Sequence, residues 1–185
     1  MRYICCVMLL FISSLCSAQN SDLFPEVKLF SKVYAKFALD DKPSLLADTN
    51  LIAIWKMNED PDMHNYFVME RYAPNQFVFT YMNRGGSNRT YENVGAFFSE
   101  VAGFRFLNVR YRDHSTDEMG YFFLKVTDLD SRGWDMTLSL VKDSTLKNIT
   151  SQKALRERIY QNVNNPEYFG NPVHLEKKLP LMYCK

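Results

Sequence analysis

Hydrophobic and polar residues alternate through the middle of the chain in a pattern that predicts seven β-strands. Short polar connections, such as Ala73-Pro74-Asn75 and the turn at Gly85-Gly86, separate these segments, and such residues favour turns. No segment of helical period lies between them, which favours antiparallel strands that follow one another as a meander. The seven segments are TNLIAIWKM, NYFVMERY, QFVFTYMN, RTYENVGAFFSE, FRFLNVRYR, GYFFLKVTDLD and WDMTLSLV.

Several of these strands are apolar on both faces. On the third strand, Phe77, Phe79 and Tyr81 share one face, whereas Val78 and Met82 share the other. A sheet with one face in water would show a cleaner alternation. Such strands need an apolar interior and a second apolar partner outside, and a barrel with a helix packed on its wall supplies both. The sixth strand repeats the pattern, with Tyr121 and Phe123 opposed to Phe122, Leu124 and Val126.

The segment before the strands predicts an amphipathic helix. Its apolar residues recur at spacings of four and three, and lysines lie on another face, which is the helical period. Ser21 or Asp22 can cap this helix, and Pro25 is tolerated in its first turn. A strand is the alternative, because Val27 and Leu29 alternate with lysines. The apolar positions of the helical pattern are Leu23, Val27, Phe30, Tyr34 and Phe37.

A second helix is predicted near the C-terminus, where Leu155, Ile159 and Val163 recur at every fourth position. Ser151 can cap its start and Pro166 lies beyond its end. The later segment PVHLEKK predicts a short eighth strand. The predicted fold class is therefore mainly β: an antiparallel up-and-down barrel of seven to eight strands, with an N-terminal helix and a C-terminal helix.

Residues 1–18 have the features of a secretory signal peptide. Arg2 gives a positive start, an apolar core follows, and Cys16 and Ala18 supply the small residues that cleavage before Gln19 requires. We therefore expect the protein to be exported, to the periplasm or the extracellular space. A lipoprotein anchored through Cys16 is the alternative, and the bulky residue before this cysteine disfavours it.

The predicted organisation has three parts: the signal peptide at 1–18, an amphipathic helical segment at 19–47, and a β-barrel domain with its C-terminal helix at 48–185. Removal of the leader leaves Cys184 as the remaining cysteine, so no internal disulfide is expected. The chain without its leader has 21 basic and 21 acidic residues. Because there is no basic excess to bind a phosphate backbone, nucleic acid is not an expected partner.

The sequence contains no motif that indicates catalysis, a metal or a cofactor. His64, His114 and His174 have no ligand partner at short spacing. The acidic stretch NEDPDMHN, from Asn58 to Asn65, lacks the glycine of a calcium loop, and its single histidine is too few for zinc. The apolar segments on both sides of it indicate the loop of a hairpin instead.

The order of these elements resembles that of small lipocalin-like proteins exported by bacteria. Ala53-Ile54-Trp55 lies where lipocalins carry Gly-x-Trp near the start of the first strand, with alanine in place of glycine. The segment ENVGAFFSEVAGFRFLNVRY, and the later order of YFFLKV, WDMTLSLV and a closing helix, are similar to those proteins. The resemblance covers residues 51–178, and it implies an eight-stranded lipocalin-like barrel that holds a small apolar ligand or none.

Aromatic residues of the predicted strands are the candidates for the lining of a ligand pocket. A filled core is the alternative, because small barrels are often filled by their own side chains. Arg71, Arg105 or Arg110 is available to meet a carboxylate head group. The candidate pocket residues are Trp55, Phe77, Phe79, Tyr81, Phe106, Tyr121, Phe123 and Trp134.

The sequence supports two main hypotheses of function. The first is an exported, non-catalytic lipocalin-like protein that binds a small apolar or amphipathic molecule. The second is a cell-envelope interaction or structural module with a filled core and no small-molecule ligand. The basic amphipathic segment from Leu23 to Phe37 is suited to contact a membrane surface. A third hypothesis, an enzyme whose residues converge only in space, requires a polar cluster with perturbed pKa values in the barrel mouth.

Overall fold

The computed structural model describes residues 34–41, 51–58, 65–73, 76–83, 90–112, 117–129 and 135–180. Within these residues, eight antiparallel strands form a closed barrel in which each strand pairs with the next along the chain. The prediction of an up-and-down barrel is confirmed, and it is compatible with a lipocalin-like fold. The strands are β1 (Ala53–Met57), β2 (Asn65–Ala73), β3 (Gln76–Asn83), β4 (Thr90–Val101), β5 (Phe104–Arg112), β6 (Met119–Thr127), β7 (Asp135–Leu140) and β8 (Val173–Pro180).

The eighth strand closes the barrel by pairing with both the first and the seventh. Trp55 of β1 lies opposite Lys177, and Met57 lies opposite Leu175. On its other side, β8 places Leu175 opposite Met136 of β7. The predicted short strand is therefore a full member of the sheet, and its pairing removes the free edges that an open sheet would expose.

Two separate apolar layers account for the strands that are hydrophobic on both faces. One cluster contains residues from all eight strands and lines the interior. The other contains residues of the outer wall together with Leu155 and Ile159 of the C-terminal helix. On β6, Phe122 and Leu124 belong to the interior and Phe123 belongs to the outer layer. The alternation of a barrel strand thus serves two apolar environments rather than one apolar and one aqueous.

The C-terminal helix, α1 (Gln152–Asn162), packs on the outer wall of the barrel. Ser151 caps its first turn, because its side chain accepts a hydrogen bond from the backbone N–H of Ala154. At the other end, Nζ of Lys125 on β6 donates to the carbonyl oxygen of Val163 at 2.8 Å. A cation at a helix C-terminus stabilises the helix.

No helix among the described residues is long and apolar enough to cross a bilayer.

The predicted N-terminal helix is not formed at residues 34–41, which is a correction to the sequence analysis. These residues, named the strap below, run in a non-helical conformation along the outer wall. Ala35 forms an antiparallel bridge with Tyr121, and their backbone groups exchange two hydrogen bonds of 2.8 Å. The rest of the predicted helix, the signal peptide and Cys16 lie outside the described residues.

The strap forms a bridge because β7 covers only part of β6. The pairing of β6 with β7 runs from Thr127 to Leu124, and Val141 adds one more hydrogen bond to the carbonyl of Phe123. Beyond that point Val141 bridges Phe169 instead. The backbone groups of Tyr121 therefore face a gap in the sheet, and Ala35 fills it. Partners supplied by the tertiary fold override the helical spacing of the sequence.

The predicted hairpin loop at NEDPDMHN connects two strands that pair directly. Lys56 of β1 lies opposite Tyr66 of β2 in antiparallel register, and Asn58 follows β1 as a turn residue. Residues 59–64 lie outside the described part of the chain. The flanking strands nevertheless show that this stretch links neighbouring strands at one end of the barrel.

Candidate ligand-binding interior of the barrel

Alternating residues of the strands build the interior from aromatic, aliphatic and thioether side chains. Trp55 on β1, Phe67 on β2 and Phe79 on β3 point inward, because each belongs to the cluster shared by all eight strands. Their strands are adjacent in register, with Trp55 opposite Phe67. Met57, Met69 and Met136 are further members of this cluster. Methionine adapts its shape to irregular surroundings, so the composition of the interior suits an apolar occupant.

Aromatic rings pack against one another on the β1–β4 side of the interior. Phe67 and Phe79 stack with their ring centroids 4.8 Å apart, and Phe77 meets Phe98 edge to face at 5.7 Å. The indole Nε1 of Trp55 donates to the backbone carbonyl of Leu51 at 3.1 Å. These contacts satisfy the one polar atom of the indole and hold the rings in fixed positions.

The residual exposure of inward side chains differs between the two sides of the barrel. Trp55, Phe67 and Met69 on β1 and β2 are 0% exposed, whereas Phe122 on β6 is 5% exposed and Leu140 on β7 is 9% exposed. A side chain next to a water-sized space keeps some accessible surface, and one in close packing keeps none. The interior is therefore filled around Trp55, and the small residual exposure is largest on β6 and β7, where Leu140 lies at the end of its strand.

A lysine side chain is buried within this apolar interior. Lys177 lies two residues after Leu175 on β8 and directly opposite Trp55, so it shares the inward face of the strand. It is 7% exposed and therefore counts among the buried side chains. Lys177 is not among the residues predicted from the sequence to line a pocket, although Val173, Leu175 and Lys177 alternate in PVHLEKK and therefore share one face of the strand.

The structure divides the predicted pocket residues into three groups. Trp55, Phe77 and Phe79 lie together in the interior cluster. Phe106, Tyr121 and Phe123 instead belong to the outer layer under the strap and α1, which corrects the prediction that they line a pocket. The reason is that β5 and β6 are apolar on both faces, and periodicity does not say which face is inside. The side chain of Tyr81 and the whole of Trp134 lie outside the described residues.

The three arginines expected at a carboxylate head group do not converge. Arg71, Arg105 and Arg110 are all exposed. Arg71 lies near the end of β2 and Arg105 near the start of β5, at one end of the barrel, whereas Arg110 lies near the other end on the outward face. The three are alternatives, and contact of any one of them with a head group stays a prediction.

The main polar cluster of the outer layer surrounds Asp143. Its carboxylate accepts hydrogen bonds from the backbone N–H and the hydroxyl of Thr145 and from Nε of Arg158, the last at 2.7 Å. Burial alone would raise the pKa of Asp143, but these hydrogen bonds and the Arg158 charge outweigh it and lower that pKa. The hydroxyl of Tyr168 is buried nearby with no hydrogen-bond partner among the described residues, and burial raises the pKa of this phenol.

This cluster ties the loop after β7 to α1 and lies outside the interior. Among the described residues, no three His, Cys, Asp or Glu side chains are grouped as metal ligands. The cluster therefore has the character of a structural ion pair, in which a partly exposed guanidinium holds a buried carboxylate.

The strap places one aromatic ring at the rim of the interior. Ala35 pairs with Tyr121 and joins the outer layer, so the preceding Tyr34 lies on the inward side of β6. A Cβ atom on Gly120 would overlap Cδ2 of Tyr34 and lie 2.8 Å from the carbonyl oxygen of Ala35. Gly120 shares its face of the strand with Phe122, and the absence of a side chain there allows the strap to approach.

The buried ring of Tyr34 thus borders the interior on the side where β7 departs. Its hydroxyl donates to Oε2 of Glu118 at 2.7 Å.

The comparisons with known proteins add no relative to this account. The chain matches no protein-family model, no curated protein and no solved structure. The fold class therefore rests on the barrel itself, which is closed, antiparallel, eight-stranded and compatible with a lipocalin-like fold.

Proposed function

We propose that the protein binds a small apolar or amphipathic molecule in the interior of the barrel and performs no catalysis. The observation that carries this proposal is a closed barrel with an interior of aromatic, aliphatic and thioether side chains, in which the largest residual exposure is on β6 and β7. Ligand sites are mostly apolar concavities with a few polar groups. Closed eight-stranded barrels are large enough to hold one small ligand. Export to the periplasm or the extracellular space is part of this proposal.

A titration with a fluorescent apolar probe, anilinonaphthalene sulfonate, tests the location of the site. Replacement Leu140→Phe adds volume to an inward side chain that retains accessible surface, and we expect it to weaken probe binding by roughly ten-fold. The matched control is Ser139→Phe, the neighbouring residue of β7, which lies outside the interior cluster. Equal affinity of both variants and the unaltered chain would place the probe elsewhere.

Lys177 is the group that would recognise an acidic head group in this proposal. Its position opposite Trp55 brings a positive charge to the apolar interior, where charge–charge interactions are stronger than in water. We expect Lys177→Met to weaken binding of dansyl-undecanoic acid more than binding of its methyl ester. Lys178→Met is the control, because Lys178 forms an ion pair with Glu176 at 2.7 Å on the other face of the strand. An equal loss for acid and ester would refute this role.

Dense aromatic packing supports the second candidate, a filled barrel that acts as an interaction or structural module of the cell envelope. Trp55, Phe67 and Met69 retain no exposure, as in a core without a cavity. This function predicts that no apolar probe enters the barrel, whether or not Leu140 is replaced. The titration above therefore separates the two candidates.

A further inference from the structure

We propose that the strap is a removable gate on the side of the barrel, and that its release admits the ligand between β6 and β7. This inference rests on the proposed ligand-binding function. It concerns the route by which a molecule reaches the interior. Closed barrels have no free strand edges, so a local gap in pairing is where a wall can open at the lowest cost.

The first argument is that the barrel wall has such a gap and that the strap covers it. Pairing of β6 with β7 ends at Leu124 and Leu140, and Val141, which follows β7, adds one hydrogen bond to Phe123 and bridges Phe169. The backbone N–H and C=O of Tyr121 are satisfied by Ala35 rather than by β7. Departure of the strap would free one side of β6 without breaking any pair between two barrel strands.

The second argument is that the strap contacts the interior as well as the outer wall. The ring of Tyr34 lies over Gly120, on the face of β6 that also carries Phe122. The largest residual exposures among the inward side chains are those of Leu140, Val126 and Phe122, on β6 and β7. The gap, the ring of Tyr34 and the accessible surface therefore lie on the same side of the barrel.

The third argument concerns how the strap is held. Beyond Ala35 the strap is held by apolar and polar contacts: Leu39 is fully buried in the outer layer, Asn108 accepts from its N–H at 2.9 Å, and Gln152 donates to Oδ1 of Asp41 at 3.0 Å. Arg156 of α1 forms an ion pair with Asp40, in which both side chains are partly exposed. Partly exposed polar contacts contribute little net free energy each. Leu39 therefore anchors the far end of the strap, and the Tyr34–Ala35 end, held to β6 by one bridge and one ring, is the part that can leave the wall while the barrel stays folded.

A reversible disulfide between the strap and β6 tests the gate. Ala35 and Tyr121 exchange two backbone hydrogen bonds, and the Cα atoms of such an antiparallel pair lie about 5.5 Å apart, which a disulfide can span. The double variant Ala35→Cys/Tyr121→Cys is made in the full chain with the four native cysteines replaced by serine. Mass spectrometry establishes that the bond has formed. Uptake of anilinonaphthalene sulfonate is then followed by stopped-flow fluorescence before and after reduction.

The oxidised form is expected to take up the probe at least about ten-fold more slowly than the reduced form, because opening of the strap precedes binding. The matched control is Val141→Cys/Phe169→Cys, a second isolated bridge that does not include the strap. Its uptake rate should not change on reduction. Tyr34→Ala provides a test without a cross-link, and it should accelerate uptake, whereas Tyr34→Phe keeps the ring and should accelerate it less.

The outcomes separate this inference from the function on which it rests. Equal uptake by the oxidised and reduced strap variants would overturn the gate and leave ligand binding intact. A slow oxidised form beside an unaffected control would support the gate. Failure of every form, including the unaltered chain, to bind the probe would overturn the proposed function and the gate together.

Discussion

Gly120 shows how one residue fixes the path of a distant segment. A side chain here would overlap the ring of Tyr34 and the backbone of Ala35. We predict that Gly120→Ala lowers the free energy of unfolding by about 1–3 kcal/mol, the range for overpacking. The control is Gly95→Ala on β4, whose new Cβ would meet no atom within 4 Å. Urea denaturation of the two variants measures the difference, and equal effects would contradict the close approach of the strap.

The lowered pKa of Asp143 predicts that the free energy of unfolding depends on pH. Its pKa in the folded protein is lowered, below an unfolded value of about 3.9. The carboxylate therefore stabilises the fold above pH ~4, and this contribution is lost as the pH falls through the folded pKa. We predict that Asp143→Asn costs about 1–2 kcal/mol at neutral pH and much less in acid.

Urea denaturation at neutral and at acidic pH measures this change. Asp117→Asn is the control, because Asp117 also pairs with an arginine but is largely exposed, and such pairs contribute less than about 1 kcal/mol. A loss for Asp143→Asn that does not shrink in acid would show that the ion pair is not its cause.

The candidate site shows at residue level what a single sequence can and cannot predict. Period-two alternation correctly groups Phe77 with Phe79 and separates Phe122 from Phe123. It does not show which group faces inward when both faces are apolar, so Phe123 was placed in the pocket although it packs under α1. The alternation of residues on β8 places Lys177 on the same face as Leu175. Its burial was not predictable from the sequence, because it depends on the pairing of β8 with β1.

At the level of elements, α1 stabilises the barrel from outside. Leu155 and Ile159 are fully buried against the outer layer. We predict that Leu155→Ala lowers the free energy of unfolding by about 2–5 kcal/mol, as for other large-to-small changes in a core. Glu157→Ala, an exposed position of the same helix, should change it by less than about 0.5 kcal/mol. Thermal denaturation compares the two, and similar effects would show that α1 is not docked.

The strands were predictable to a greater extent than the N-terminal segment. Seven strands follow from alternation and turn residues, and the eighth is visible as the short stretch PVHLEKK. The spacing of Tyr34 and Phe37 suggested a helix, whereas the strap is extended at Ala35 because Tyr121 offers it two backbone hydrogen bonds. The backbone groups of Tyr121 are available to Ala35 only because β7 does not pair with that part of β6. This depends on the assembled sheet and is not visible in the local sequence.

At the level of the whole molecule, one closed sheet separates two apolar regions with different roles, the outer layer and the interior. The outer layer is filled by α1 and the strap. The polar groups near it bond to one another, as Leu39 does to Asn108 and Arg158 to Asp143. In the interior, the residual exposure of apolar side chains is largest on β6 and β7, and β8 contributes a buried lysine. We infer that stability resides mainly in the docking of α1 and in the packed side of the interior around Trp55, which leaves the β6–β7 side for a ligand.

Native mass spectrometry tests the central claim, that the barrel holds a small molecule, most directly. The protein is incubated with a lipid extract, separated from unbound lipid, and measured under gentle ionisation and again after denaturation. The account predicts a species heavier than the bare chain by one small amphipathic molecule, which denaturation releases and which Leu140→Phe reduces. A bare mass under all conditions, from a protein that also binds no apolar probe, would contradict it.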